Sequence, residues 1–176
     1  MKPPRTFFGP HAVRLASLAA CILLSFTSRA ESAESSEART ILQHNRQVGE
    51  RYFEDVWNMG RVDQLDDLLH ADYINHTPST PHPPRGPAGL KPIVLAMREG
   101  FPDLNYEIQD IVVTADRVVM RVIMTGTNTG TLFGKAPTGK RIRVNQINIE
   151  MMRNGRIAEH WRVTDEAELQ RQLGYR

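Results

Sequence analysis

Cysteine is all but missing from this sequence. Cys21 is the only one, and it lies inside the apolar run Leu15–Phe26. Ahead of that run stand Lys2, Arg5 and Arg14, and behind it Ser28-Arg29-Ala30 has the small-x-small pattern of a signal-peptidase site. This is the layout of a secretory signal peptide, with cleavage near Ala30 and a periplasmic or secreted destination. The alternative is a lipoprotein acylated at Cys21, but the apolar run continues past Cys21 through Ile22, Leu23 and Leu24. After cleavage the chain has no cysteine at all. That excludes a disulfide framework, a thiol nucleophile and a thiolate metal site.

Other absences narrow the field further. Beyond residue 30 no apolar run is long enough to span a bilayer, so stable membrane insertion of the mature chain is not expected. Charge of one sign is lacking too. The full chain is +2 with a sequence pI near 8.9, yet the leader carries four basic residues and no acidic one, leaving 18 basic against 20 acidic side chains. No basic field remains for nucleic acid. No metal or other cofactor is expected. His70, His76 and His82 are spaced six apart, without the i,i+4 pairing of a helical metal site. Gly134 to Arg141 (GKAPTGKR) imitates a phosphate loop but ends on Arg141 where the hydroxyl residue belongs, and it precedes a strand instead of a helix.

What is present divides into a leader (1–30), a polar spacer (31–37) and one domain (38–176). Ile41, Val48, Tyr52 and Val56 recur at helical spacing, predicting a helix from about Ala38 to Trp57. A shorter helix follows with Val62, Leu65, Leu68 and Leu69. Asp72 to His76 reads as a short strand. Thr77 to Gly86 is a proline-rich rim loop, and Pro87 opens a third helix ending at Gly100.

From Leu104 the chain alternates as four strands. Val118 to Thr125 is apolar on both faces except at Arg121, which predicts a central strand with Arg121 paired to Glu159 or Glu150, or serving an anion in a cavity. Ile142 and Val144 point one way and Ile147, Ile149 and Met151 the other, predicting a bulge or strong bend near Asn145. Asn154-Gly155 turns into a last strand with Ile157, Trp161 and Val163 on one face. If that phase holds, Asp165 lies beside Trp161, where burial would raise its pKa for acid/base work. Asp165 also precedes a helical run with Glu168 three residues on, as an N-cap would. The fold class is α+β: three N-terminal helices on the concave face of a curved antiparallel sheet, cone-shaped, with a short C-terminal helix. The surplus of apolar sheet positions predicts a homodimer through one sheet face.

Several stretches together carry a resemblance. They are Tyr52-Phe53 to Trp57, Phe101-Pro102-Asp103, Gly126-Thr127-Asn128-Thr129-Gly130, Pro137-Thr138-Gly139-Lys140, and Ile157 to Asp165 leading into a helix. Over residues 40–174 the chain resembles the SnoaL-like polyketide cyclase, or ester cyclase, family, whose fold is the cone shared with nuclear transport factor 2. The resemblance implies an apolar pocket for a small hydrophobic carbonyl compound, usually a dimer, and cofactor-free aldol closure or isomerisation. It also implies an aspartate acid/base at the position matching Asp165. Tyr73, Asn75, His76, Arg121 and Trp161 are the residues read as binding substrate. An assisting histidine has two candidates, His160 and His76, both alternating away from the face assigned to Trp161. Two other readings stand beside it: a non-catalytic periplasmic binding protein of the same fold, and a likeness to limonene epoxide hydrolase through Tyr73-x-Asn75. In the latter, Arg121 is followed by Ile123 where the Arg-x-Asp pair needs an acid.

Overall fold

The computed structural model of the protein describes residues 34–175. The stretch read as a leader, with the cleavage expected near Ala30 and Cys21, lies outside the described residues. The chain divides into two units, 1–40 and 41–176. Of the first, residues 34–40 are helical, so helix is already present inside the stretch read as spacer.

In the second unit, α1 (41–51) continues into a π-helical stretch, Tyr52–Asn58. The wider π turn lets Tyr52, Phe53, Val56 and Trp57 all face inward, where each is buried. After a 3₁₀ turn, Val62–Gln64, come α2 (Leu65–Leu68), β1 (Leu69–Asn75) and α3 (Pro87–Gly100). The strands β2 (Asn105–Val113), β3 (Arg117–Thr127), β4 (Arg141–Arg153) and β5 (Arg156–Thr164) follow, then α4 (Glu166–Leu173).

The sheet has five strands in the order β1-β5-β4-β3-β2. The four later strands form the expected antiparallel meander, with β3 between two neighbours. However, β1 runs parallel to β5, so the curved sheet is mixed, and it does not close. The core forms where α1–α3 cover one sheet face: Tyr52, Phe53, Leu65, Ile93 and Val94 pack with Val118, Met120, Val122, Ile142 and Val144.

Two register features decide which residues face that core. First, β4 has no bulge near Asn145. Its pairing with β3 is unbroken from Arg117↔Met151 to Thr127↔Arg141. The expected phase change is therefore absent, and strict alternation carries Gln146, Asn148 and Glu150 inward behind Ile142 and Val144. Second, an irregularity does occur in β5. Met151 pairs with Glu159 but Met152 with Ile157, leaving Ala158 as an extra residue. One extra residue inverts every side chain beyond it. Ile157 stays inward, but Trp161 and Val163 turn out, and His160 and Arg162 turn in.

Candidate functional site

The three inward polar residues of β4 sit directly opposite three inward residues of β5: Gln146↔Thr164, Asn148↔Arg162 and Glu150↔His160. This polar ladder continues an otherwise apolar core, and Gln146, Asn148, Glu150 and His160 are all buried.

A cavity of about 360 Å³ opens against the ladder's outer rungs. Its walls are mostly apolar: Met97 and Phe101 from the end of α3, Tyr106 from β2, Met124 from β3, Leu132 and Phe133 from the β3–β4 loop, and Leu169 and Leu173 from α4. Its polar residues include Gln146, Arg162 and Thr164, with Ser79, Lys135, Glu166 and Gln170. Adjoining it is a niche of about 10 Å³, room for a single oxygen atom. Tyr106, Gln146 and Arg162 are common to both spaces, while Tyr52, Phe53, Trp57, Asn148 and His160 complete the niche.

At the inner end, His160 Nδ1 lies 2.9 and 3.0 Å from the two carboxylate oxygens of Glu150, which is fully buried. A buried carboxylate needs a donor. With Glu150 ionised, Nδ1–H donates to it, and this fixes the ring so that Nε2 is the free nitrogen. Burial, reinforced by the charge of Glu150, pushes the Tyr52 and Tyr73 phenols well above their ordinary range. Burial also pushes Tyr106 up to about 12, with the Arg162 charge opposing it. The guanidinium therefore makes itself felt at all three phenols.

Several donors here lack acceptors. Trp57 Nε1, Asn148 Nδ2, Tyr73 OH and Thr164 Oγ1 have no hydrogen-bond partner. Trp57 Nε1 leans toward the Tyr52 phenol without reaching bonding geometry. Gln146 Nε2 meets the Met124 sulfur at 3.6 Å, and the Gln146 side chain also reaches toward the Tyr106 phenol. Among the described residues no carboxylate pairs with Arg162, whose only side-chain bond runs from Nη2 to Ser79 Oγ at 3.4 Å. Native interiors leave few such groups unsatisfied, and their concentration in one place marks a site.

The residues read from the sequence fall into separate places. Tyr73 faces inward and is buried beside the polar interior. Asn75 Oδ1 accepts from Thr77 N–H at 2.9 Å and shapes the turn after β1. His76 and Trp161 stack on each other outside the sheet, 4.4 Å between centroids, and His76 Nε2 meets Glu159 at 2.7 Å. Arg121 is exposed and paired with Asp110 at 2.6 Å, not with Glu159 or Glu150. Asp165 is the N-cap of α4, its carboxylate accepting from Glu168 N–H at 3.1 Å. With Arg121, Ile147 and Val163 it borders a second hollow, which shares Gln146 and Thr164 with the cavity but, unlike it, includes Asp165.

Gln146, Asn148, Glu150 and Arg162 were missed, and His160 was assigned to the wrong face. The signal for the β4 residues was present: a thirteen-residue strand read without interruption puts them inside. The signal for β5 was not, because nothing in Arg156–Thr164 marks Ala158 as a bulge.

The comparisons agree with this architecture. The family model of SnoaL-like polyketide cyclases matches residues 47–173. The aklanonic acid methyl ester cyclase AcmA of Streptomyces galilaeus is 29% identical over 121 residues, 68% of this chain and 84% of the relative. The nogalonic acid methyl ester cyclase of Streptomyces nogalater is 28% identical over 120 residues, 68% and 90% of the two chains. Among solved structures, TsrD of Streptomyces laurentii superposes with a TM-score of 0.69 at 29% identity, over 76% of this chain and 97% of its own. IdmH of Streptomyces antibioticus gives 0.64 at 30%, over 74% and 98%. With a model match running from the first helix to the last and relatives aligned over most of their own length, the chain belongs to the SnoaL-like polyketide cyclase family.

Proposed function

We propose that this protein performs cofactor-independent acid/base chemistry on a small apolar carbonyl compound, an aldol-type cyclisation or an isomerisation, with His160 as the proton carrier. The observation that carries this is the Glu150–His160 pair: a buried imidazole oriented by a carboxylate on one nitrogen, with its ring bordering the niche beside the apolar cavity. The relatives' names, both methyl ester cyclases, support the reaction class.

In this reading His160 Nε2 removes a proton from the carbon beside a carbonyl, and the C–H electron pair becomes an enolate. The enolate carbon attacks a second carbonyl of the same molecule, forming the ring bond. The Nε2–H proton then passes to the new alkoxide, returning His160 to its starting form. The cavity contributes by folding the substrate and excluding water. Asp165 acts in this scheme as a helix cap.

The test is deuterium exchange into 2-tetralone, followed by NMR, alongside the thermal midpoint. His160→Gln is expected to lower the protein-catalysed rate by about 100-fold with folding retained, while Asp165→Asn keeps it. Full exchange in His160→Gln with loss in Asp165→Asn would return the proton carrier to Asp165. Binding without any exchange in the parent protein would favour the non-catalytic binding protein. The same proposal includes export. Cleavage near Ala30 leaves a periplasmic or secreted chain, and N-terminal sequencing of protein from the cell envelope checks it.

A further inference from the structure

The β3–β4 loop reaches the rim of the cavity through a tight hairpin, Leu132-Phe133-Gly134-Lys135. Leu132 and Lys135 exchange both backbone bonds, at 3.0 and 2.9 Å, and the two residues between them have φ of 45° and 80°. Positive φ at both central positions marks the type I′ turn, which favours Asn-Gly because a bulky side chain is strained in the left-handed region. The chain obeys that preference elsewhere. The β4–β5 hairpin turns through Asn154 and Gly155, at 52° and 72°. At the cavity rim the first position holds Phe133 instead, and that residue is 44% exposed.

Neither the turn nor burial accounts for this ring. An exposed apolar side chain alone is ordinary, but one held in the left-handed region costs the fold stability. The base of the hairpin is fixed on both sides. Leu132 is buried and packs so closely on Gly100 that a methyl group there would collide with it. Lys135 Nζ sits 4.3 Å from the centre of the Tyr175 ring. The tip itself is open: a side chain at Gly134 would start with nothing within 4 Å. Phe133 is thus carried by a fixed base and lines the cavity with Leu132 and Tyr175.

We propose that Phe133 is a specificity-determining residue, whose ring covers the end of the ligand remote from His160 and selects ketones carrying a further flat ring there, a role that rests on the proposed chemistry at His160. Phe133 lines the cavity but not the niche that His160 borders, so it meets the ligand away from the reacting carbon. A cavity of about 360 Å³ is of the size that takes a drug-sized molecule, so a ligand that fills it from niche to rim is longer than a two-ring ketone. Contact between two rings adds affinity without entering the proton transfer.

The experiment measures by titration calorimetry how much more tightly 6-phenyl-2-tetralone binds than 2-tetralone, together with the thermal midpoint of the unliganded protein. The parent should prefer the longer ketone. Phe133→Asn should remove about tenfold of that preference and raise the midpoint by about 2–4 °C, because Asn suits the turn. Phe133→Tyr keeps the ring and should keep the preference. His160→Gln should abolish deuterium exchange yet keep the preference too, which separates the rim from the proton carrier. Equal affinity of the parent for the two ketones, an unchanged preference in Phe133→Asn, or a lowered midpoint in that variant overturns the role of Phe133 and leaves the His160 reading standing. Binding of neither ketone overturns both.

Discussion

Asp165 and His160 stand five residues apart and face different surroundings. The Asp165 carboxylate accepts a hydrogen bond from the first turn of α4. Asp165→Ala should cost about 1 kcal/mol in chemical denaturation, and Asp165→Asn should recover most of it because Asn also caps. The buried phenols supply a second test. A tyrosine whose folded pKa is raised gives stability that is fully present below the unfolded value near 10 and is lost as pH rises through the folded value. Tyr106, pushed up to about 12 by burial, and Tyr52 and Tyr73, raised still further, should not ionise while the protein is folded. A spectrophotometric titration should show their phenolate absorbance rising only near pH 12, together with loss of tertiary circular dichroism. Their ionisation near pH 10 in a folded protein would mean that the interior is wet.

Two side-chain amides do the work of missing strands. β5 pairs with β4 only as far as Gln146, and the last bond is Asp165 N–H to Asn145 C=O. Beyond it, Gln172 of α4 closes both backbone groups of Arg143, accepting from its N–H at 2.7 Å and donating to its C=O at 3.0 Å. This holds α4 against the sheet, and α4 supplies Leu169 and Leu173 to the cavity wall. At the opposite edge Asn58 grips Tyr106 in the same way, at 2.6 and 3.0 Å. Gln172→Leu should therefore lower stability by about 1 kcal/mol. It should also speed amide hydrogen exchange in residues 166–173 more than in the core strands. Uniform exchange across the chain would show that α4 is held by its leucines alone.

The outer face of the sheet is the counterpart of its polar inner face. Ile147, Ile149 and Val163 are exposed on it, Val163 to 72%. Apolar side chains gathered on a sheet face are characteristic of an interface. The protein is expected to be a homodimer through this face, with twice the chain mass in light scattering at micromolar concentration. Val163→Asp should convert it to monomer, because pairing about a twofold axis brings the same patch from both copies together and buries two new charges. A parent protein that runs as a monomer, or a variant that stays dimeric, would place the interface elsewhere.

Local pattern determined most of the element plan. Periodicity located the first helix and α3, alternation and the Asn154-Gly155 turn located the meander, and Asp165 with Glu168 located the last cap. The family also follows from sequence, since the order of its short stretches survives without any one of them being specific. The faces of β4 and β5 did not follow. In a strand the side-chain period is two, so a single residue of slip exchanges inside for outside. On this sheet the inner face carries polar residues at its β4–β5 end and the outer face carries exposed apolar ones there, so hydropathy points the wrong way at Ile147, Ile149 and Trp161. Only tertiary structure decides such a case. The unbroken ladder to β3 holds β4 in one register, and the extra residue at Ala158 sets β5 against it. Those two facts bring Asn148, Glu150, His160 and Arg162 to one place and leave Asp165 outside it.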